Sequence, residues 1–398
     1  MRVMISCGEP SGDLYAAGLV EALRARVPDV DVSGFGGRRL EAAGARLTGD
    51  FAGLSVTGLT EAVRVIPRSY AMLRRLVDAA RTRRPDVFVA IDFPDFNFRL
   101  MAAIHQLGIP VVYYISPQLW AWRAGRMASM QKYVDRALVI FPFEAGLYER
   151  AGVPVEFVGH PLVELTRQPE PRPSFLARHR LSEVPTVALL PGSRRNEVTR
   201  TIPTIAAALP LIASQVPGVQ FVVAGARELP DTLFDPLQSA APGIRPLLVR
   251  DETDNVLAAA DVAITASGTA TVQCALHERP MVVVYRLSTL TYQLARRIVR
   301  VDHIAMPNLV AGRRIVPELV QEDFTPERVA AETVKFLRDP ALHARTRDAL
   351  RGVREQLGGP GASGRAADAV IAVARSGGRK VTSAGPLPGS RSGGPSLR

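Results

Sequence analysis

Two carboxylates and an amide, Asp92, Asp95 and Asn97, stand together directly after the apolar run 87–91. A proline between the two acids limits the backbone of this turn. A carboxylate at the mouth of a cleft can take a proton from a substrate as a general base. The alternative is that Asp95 or Asn97 only caps the helix that follows. The density of polar groups in one turn favours the functional interpretation.

A second polar turn, GEPSGD at residues 8–13, follows the apolar run 3–7. Its glycines permit a tight turn into a helix whose first N–H groups are free. Glu9 and Ser11 would then be placed to contact a substrate. The alternative is that Ser11 or Asp13 caps this helix, and the two roles are compatible.

An aromatic motif, YYISPQLWAWR at residues 113–123, contains both tryptophans of the chain. Aromatic rings beside hydroxyl, amide and guanidinium groups suit a sugar, which has apolar faces and a hydroxyl rim. The alternative is that the tryptophans belong to the core. The residues predicted to contact a sugar are Ser116, Gln118, Trp120, Trp122 and Arg123.

Two turns of small residues, one after the apolar run 187–190 and one after the run 262–265, are typical of phosphate sites. Free N–H groups at such a turn, with an arginine beside them, can bind a diphosphate. Neither turn is a P-loop, and each by itself is also compatible with an ordinary loop. The predicted contacts are Gly192, Ser193, Arg194, Ser267, Gly268 and Thr269, with Asn308 of MPNL near a ribose or base.

The sequence predicts neither a metal site nor a bound cofactor. The six histidines are scattered without HExxH spacing, and the two cysteines, Cys7 and Cys274, form no CxxC pair. Two cysteines in a chain of 398 residues favour a reducing compartment over a disulfide framework. For His160, a structural role is a simpler interpretation than a place near the cleft.

The elements that must position these groups alternate between strand and helix. Helical patterns such as 14–26 and 98–107 separate the apolar runs, and this alternation predicts parallel sheets covered on both faces. We therefore predict an α/β fold of two facing, doubly wound Rossmann-like domains with the active site in the cleft between them. Strands are predicted at 3–7, 30–34, 87–91, 111–115, 138–141, 187–190, 221–224, 247–249, 262–265 and 281–284.

The predicted boundaries follow a proline-rich interruption of this pattern. The tail is poor in hydrophobic residues and is predicted to be disordered. The boundaries are 1–165 for the first domain, 166–185 for a linker, 186–355 for the second domain, 356–375 for a C-terminal helix and 376–398 for the tail.

The net charge of +11, of which the tail carries +4, predicts attraction to anions but does not choose among nucleotide sugars, lipids and nucleic acid. No apolar run approaches ~18 residues and the first residues do not resemble a signal peptide, so we expect a cytoplasmic protein. Basic residues interleaved with apolar ones at 54–76 and 296–300 are compatible with peripheral membrane contact. A core-facing stripe with a solvated basic face is the alternative.

Together the motifs GEPSGD, IDFPDFN, YYISPQLWAWR, LPGSR, SGTAT and MPNL resemble those of the lipid-A-disaccharide synthase family over about residues 1–375. The resemblance implies an inverting glycosyltransferase of the GT-B type. Its donor would be UDP-2,3-diacylglucosamine and its acceptor 2,3-diacylglucosamine 1-phosphate, giving the β-1,6-linked lipid A disaccharide 1-phosphate and UDP. It also implies peripheral attachment to the cytoplasmic leaflet of the inner membrane and no nucleic acid partner. A homodimer is compatible with it.

The resemblance further implies roles for individual residues. Asp95 matches the general base, Glu9 a polar residue of the N-terminal site, and Arg194 a cation at the leaving group. The UDP side matches Gly192, Ser193, Arg194, Ser267, Gly268, Thr269 and Asn308. Separately from the resemblance, Ser11, Asn97 and Ser116 are predicted to contact the acceptor sugar. The family is expected to have a Glu that binds the ribose at the position of Gln273. The amide of Gln273 can still accept a hydrogen bond from the ribose, but without a charge.

Three competing functions differ in chemistry. A UDP-sugar transferase acting on a peptidoglycan precursor would share the architecture and differ in donor. Sugar epimerisation would need two acid–base groups across one carbon, which the motifs do not suggest. Binding of nucleic acid or lipid without catalysis is favoured only by the charge.

Overall fold

The computed structural model describes residues 1–51, 59–117, 126–166, 168–287 and 303–378. These residues form two parallel sheets with helices on both faces. This confirms the predicted α/β class of two doubly wound domains.

The first sheet contains seven strands. They are β1 (Arg2–Cys7), β2 (Asp31–Gly36), β3 (Arg46–Asp50), β4 (Val87–Ile91), β5 (Val111–Tyr114), β6 (Arg136–Val139) and β7 (Val155–Phe157). Their order is β3-β2-β1-β4-β5-β6-β7, and all pairs are parallel. The helices of this part are α1 (Pro10–Arg26), α2 (Arg38–Ala42), α3 (Leu59–Arg83), α4 (Pro94–Gln106), α5 (Arg126–Tyr133), α6 (Pro142–Arg150) and α7 (Leu162–Leu165).

The second sheet contains six strands. They are β8 (Thr186–Leu190), β9 (Gln220–Gly225), β10 (Leu247–Arg250), β11 (Val262–Ala266), β12 (Met281–Tyr285) and β13 (Glu318–Val320), in the order β10-β9-β8-β11-β12-β13. The remaining helices are α8 (Arg172–Arg178), α9 (Arg195–Ala213), α10 (Asp235–Gln238), α11 (Thr253–Ala259), α12 (Thr269–Leu276), α13 (Met306–Ala311), α14 (Pro326–Arg338), α15 (Pro340–Gln356) and α16 (Ala362–Ser376).

The strand order reverses at one place in each sheet, between β1 and β4 and between β8 and β11. At such a point the connections leave the strands toward opposite faces, and a crevice opens at the carboxyl ends of the strands. Val3 pairs with Val87 in the first sheet, and Val187 pairs with Val262 in the second. The polar turns found in the sequence follow these four central strands.

The strands absent from the prediction are the edge or outer strands β3, β7 and β13. Their sequences, RLTGD, VEF and ELV, are short and contain polar residues, and they are only partly buried. Such strands lack the apolar runs by which the buried central strands were predicted.

The C-terminal helix α16 packs against α1 of the first domain, so the chain returns to its start. Arg26 forms an ion pair with Asp368, and Glu164 accepts hydrogen bonds from the N–H groups of Gly361 and Ser363. Within the predicted linker, residues 172–178 form α8, where Phe175 is buried. Residues 379–398 of the predicted tail lie outside the described residues.

Helix α1 begins earlier than predicted, at Pro10, with Glu9 as its N-cap residue. The alternative that Ser11 or Asp13 caps this helix is therefore wrong. The buried carboxylate of Asp13 instead accepts hydrogen bonds from the N–H groups of Gly37 and Arg39, at 2.8 and 2.9 Å, and so holds the start of α2.

Cys7 and Cys274 are both buried and free. Within the described part of the chain, no helix is long and apolar enough to cross a membrane.

Candidate active site

A cavity of about 710 Å³ lies where the carboxyl ends of the two sheets face each other. Residues from both domains line it, as expected for a crevice at two topological switch points. Among the predicted site residues, those on its wall are Glu9, Ser11, Asp95, Ser116, Gly192, Ser193, Arg194, Ser267, Gly268, Thr269 and Gln273.

Arg194 connects the two walls of this cavity. Its guanidinium forms an ion pair with Glu9 on the opposite domain and a second one, at 2.9 Å, with Glu197 of α9. Its side chain remains 47% exposed. Because the guanidinium is half open to the cavity, an anion that enters between the domains can reach it, in competition with the two carboxylates.

The turn after β4 holds Asp92 in an uncommon backbone conformation. Asp92 and Phe93 have φ values of 45° and 50°, in the left-handed region. The backbone carbonyl of Asp92 accepts hydrogen bonds from Tyr113 Oη and Asn97 Nδ2, each at 2.8 Å. Surrounding structure therefore imposes the strained turn, as is common where backbone strain positions a functional group.

The carboxyl group of Asp92 lies in the cavity next to Glu9. Burial and the negative charge of Glu9 raise the pKa of Asp92 to about 7, and Arg194 partly offsets this. A carboxyl group with a pKa near neutrality can accept and release protons at physiological pH.

Asp95 also lines the cavity but lies in a different environment. Its side chain is 79% exposed and forms an ion pair with Arg126 of α5. The same guanidinium stacks over the ring of Phe98, with 5.0 Å between its Cζ and the ring centroid. The two carboxylates of IDFPDFN thus differ: one is desolvated and the other is exposed and paired with a cation.

The structure does not bring Asn97 or Asn308 to the cavity wall. Both are fully buried. Asn97 accepts a hydrogen bond from Ser6 Oγ at 2.7 Å and donates one to the carbonyl of Asp92. Asn308 Nδ2 donates a hydrogen bond to the carboxylate of Glu318 at 2.7 Å. We therefore correct the predictions that Asn97 contacts the acceptor and Asn308 contacts UDP. Both side chains form their hydrogen bonds with groups inside the protein.

The two turns of small residues have the backbone geometry that phosphate sites need. Gly192 and Gly268 have φ values of 127° and 132°, which favour glycine. A Cβ at Gly192 would lie 2.8 Å from Glu197, whereas nothing lies within 4 Å of one at Gly268. The helices that follow begin at Arg195 and Thr269, and residues of both turns line the cavity, so N–H groups at these helix starts are close to it.

The remaining predicted contacts divide into two groups. Ser116 hydrogen-bonds to Tyr148 and is buried at the cavity edge. Gln118, Trp120, Trp122 and Arg123 lie outside the described residues.

Sequence reasoning assigned no role to Asp92 or Arg39, which lie on the cavity wall together with His160. Burial lowers the pKa of His160 to about 3, and its Nδ1 accepts the N–H of Leu162 at 3.2 Å, so the ring is neutral. The available signal was positional, because each residue follows the carboxyl end of a strand of the first sheet.

Potential metal ligands do not cluster in the described ranges: no group of three or more His, Cys, Asp or Glu side chains could hold an ion.

Comparison with known proteins supplies the family. A family profile described as lipid-A-disaccharide synthetase matches residues 3–372. The chain belongs to the lipid-A-disaccharide synthase family. Lipid-A-disaccharide synthases of Myxococcus xanthus and Geobacter metallireducens are 43% and 44% identical over 375 residues, which is 93% of this chain and 97% and 96% of theirs. As a member of this family, the protein is a glycosyltransferase of lipid A biosynthesis.

Solved structures agree in fold. The UDP-GlcNAc 2-epimerase of Neisseria meningitidis bound to UDP-GlcNAc has a TM-score of 0.66 at 12% identity, covering 94% of this chain and 100% of its own. MurG of Acinetobacter baumannii has a TM-score of 0.58 at 14% identity, covering 93% and 99%. Epimerases and transferases share this fold, so the structural likeness alone does not distinguish the two activities. The similarity in sequence to lipid-A-disaccharide synthases does distinguish them.

Proposed function

We propose that the protein transfers 2,3-diacylglucosamine from its UDP derivative to the 6-hydroxyl of 2,3-diacylglucosamine 1-phosphate. The observation that carries this proposal is one cavity with a desolvated carboxyl group, Asp92, on one wall and Arg194 beside two glycine turns on the other. The first wall has the group that an acceptor hydroxyl needs. The second has the donors that a leaving diphosphate needs.

On the donor side, the N–H groups at the start of α9 and α12 and the guanidinium of Arg194 bind the diphosphate of UDP. The small residues of both turns allow the backbone to approach it closely. Gln273 of α12, on the cavity wall, accepts hydrogen bonds from the ribose hydroxyls through its carbonyl oxygen. These donors stabilise the charge that grows on UDP as the bond from C1 to the phosphate oxygen breaks.

On the acceptor side, we assign the base to Asp92 in place of Asp95. Asp92 accepts the proton of the 6-hydroxyl while that oxygen attacks C1 from the face opposite UDP, so the configuration at C1 inverts. Asp95 is the residue that matches the base of the family in sequence, but its carboxylate is exposed and forms an ion pair with Arg126. The raised pKa of Asp92, about 7, suits its carboxylate to accept the proton of a hydroxyl as that oxygen attacks.

We also propose that the protein works at the cytoplasmic face of the inner membrane, where acylated substrates reside. The support comes from the described part of α3, which exposes Ile66 and Tyr70 beside Arg68, Arg74 and Arg75. Exposed apolar side chains among arginines suit an anionic lipid surface. The second basic segment, 296–300, and the side chains of residues 59–65 lie outside the described residues.

The test is to incubate the purified protein with the two proposed substrates and to analyse the products by mass spectrometry. The proposal requires UDP and a disaccharide 1-phosphate in equal amounts. A reaction with UDP-GlcNAc as the donor is the control for the competing transferase. A reaction without acceptor is the control for hydrolysis of the donor. Disaccharide formed only from UDP-GlcNAc would refute the proposed donor.

A further inference from the structure

The cavity wall of the first domain carries an arginine that the chemistry described so far does not use. Arg39 lies in the first turn of α2, after β2, and lines the cavity with an exposed side chain. Its backbone N–H is bound by Asp13. Its guanidinium, in contrast, takes part in none of the ion pairs found among the described residues.

The other arginines on the cavity wall already have anionic partners. Arg194 is held by Glu9 and Glu197, and Arg126 by Asp95. Arg39 differs from both because its guanidinium lines the cavity and forms no ion pair with a carboxylate of the described residues. A guanidinium in this state binds a phosphate through charge-assisted and often bidentate hydrogen bonds.

The strand order fixes where this charge lies relative to the proposed base. Arg39 follows β2 and Asp92 follows β4, and β1 lies between these two strands. Neighbouring strands are about 4.8 Å apart, so the ends of β2 and β4 are separated by roughly 10 Å. Both residues line the same cavity, so one sugar that lies along this wall can contact the guanidinium with one end and the carboxylate with the other.

We infer that Arg39 binds the phosphomonoester of the acceptor, and that this contact selects the phosphorylated sugar and sets its orientation. This inference rests on the proposed function. The acceptor presents its reacting hydroxyl on C6 and its phosphate on C1, on either side of the ring oxygen. With the phosphate at Arg39, the 6-hydroxyl is directed toward the end of β4, where Asp92 lies.

The decisive experiment compares two acceptors, 2,3-diacylglucosamine 1-phosphate and the same sugar without the phosphate, in the wild type and in Arg39→Ala. We expect the wild type to use the phosphorylated acceptor with a higher kcat/KM by about 10- to 100-fold, the range of one charged contact. In Arg39→Ala this preference should fall toward one, with the KM for the donor unchanged. Arg39→Lys should restore part of it.

Arg38→Ala is the matched control, because Arg38 is the adjacent exposed arginine and is not on the cavity wall. It should keep the full preference. An Arg39→Ala variant that discriminates like the wild type would overturn the inference, and loss of discrimination in Arg126→Ala instead would assign the phosphate to that residue.

Calorimetric titration of the phosphorylated acceptor into the same variants separates this inference from the proposed function. If the wild type forms no disaccharide from either acceptor, the proposed function fails. Weaker binding to Arg39→Ala than to Arg38→Ala would still support the phosphate site, and equal binding to both would refute it.

Discussion

The Glu9 carboxylate and the Arg194 guanidinium form an ion pair across the cleft, which joins the carboxyl end of β1 to that of β8. A diphosphate that binds Arg194 must compete with Glu9 for the same donors. When it does so, the charge of Glu9 loses its partner next to Asp92. Binding of the donor and the basicity of the proposed base are therefore linked through one side chain.

Arg194→Ala should weaken UDP binding by about 10- to 100-fold, because a charged hydrogen bond to phosphate is lost. Turnover should fall as well, since the leaving group loses stabilisation. Calorimetry and initial rates measure the two effects. The adjacent variant Arg195→Ala is a control, and an unchanged UDP titration in Arg194→Ala would remove Arg194 from the donor site.

Glu9→Gln should tighten UDP by up to about tenfold, because the amide competes less strongly for Arg194. It should also lower the pKa of Asp92, because the negative charge that raises it is gone. The acid limb of the pH–rate profile then moves to lower pH. If the acid limb of the pH–rate profile were the same as in the wild type, Glu9 would not affect the pKa of the base.

Asp92→Asn should reduce kcat by about 10²–10⁴-fold, the usual contribution of a general base, while UDP binding persists. Asp95→Asn is the matched control and should have a smaller effect. In the wild type, activity should rise with pH through about 7, as Asp92 loses its proton. If Asp95→Asn were the more damaging change, the base would be Asp95, as the family resemblance first suggested.

Gln273→Glu should tighten UDP by up to about tenfold, because a charged acceptor for the ribose hydroxyls replaces a neutral one. The structure supports the experiment, since Gln273 lies on the cavity wall. Calorimetric titration of UDP measures the change. Weaker binding would mean that the surrounding site suits the amide.

Because His160 is buried and neutral in the folded protein, it should make the protein less stable in acid. Its pKa in the folded protein is about 3, far below its usual value, so between about pH 6.5 and 3 the unfolded chain binds the proton and the folded protein does not. The free energy of unfolding therefore decreases as pH falls through this range, by at most ~1.4 kcal/mol per pH unit from this group. In denaturant titrations, the free energy of unfolding of His160→Gln should depend less steeply on pH than that of the wild type. An identical dependence on pH would contradict the low pKa of His160.

Much of this molecule could be predicted from the sequence, because buried parallel strands are continuous apolar runs and the polar turns after them are recognisable. Those two signals placed Glu9, Arg194 and Ser267 at the strand ends that form the cleft, whereas Gln273 was singled out by the family resemblance. The edge strands β3 and β13 escaped prediction because they are short and polar. Their pairing depends on neighbours that are distant in sequence.

Only the tertiary structure decided which polar group of a motif faces the cleft. Asp92 and Asp95 are three residues apart in one turn, and the left-handed backbone at Asp92 turns one into a desolvated pocket and leaves the other exposed. Asn97 and Asn308 look like ligands in sequence but turn inward to bind buried backbone and side-chain groups. Residue type and order determine which groups reach a strand end, whereas burial and the partners that surround each group are properties of the packed chain.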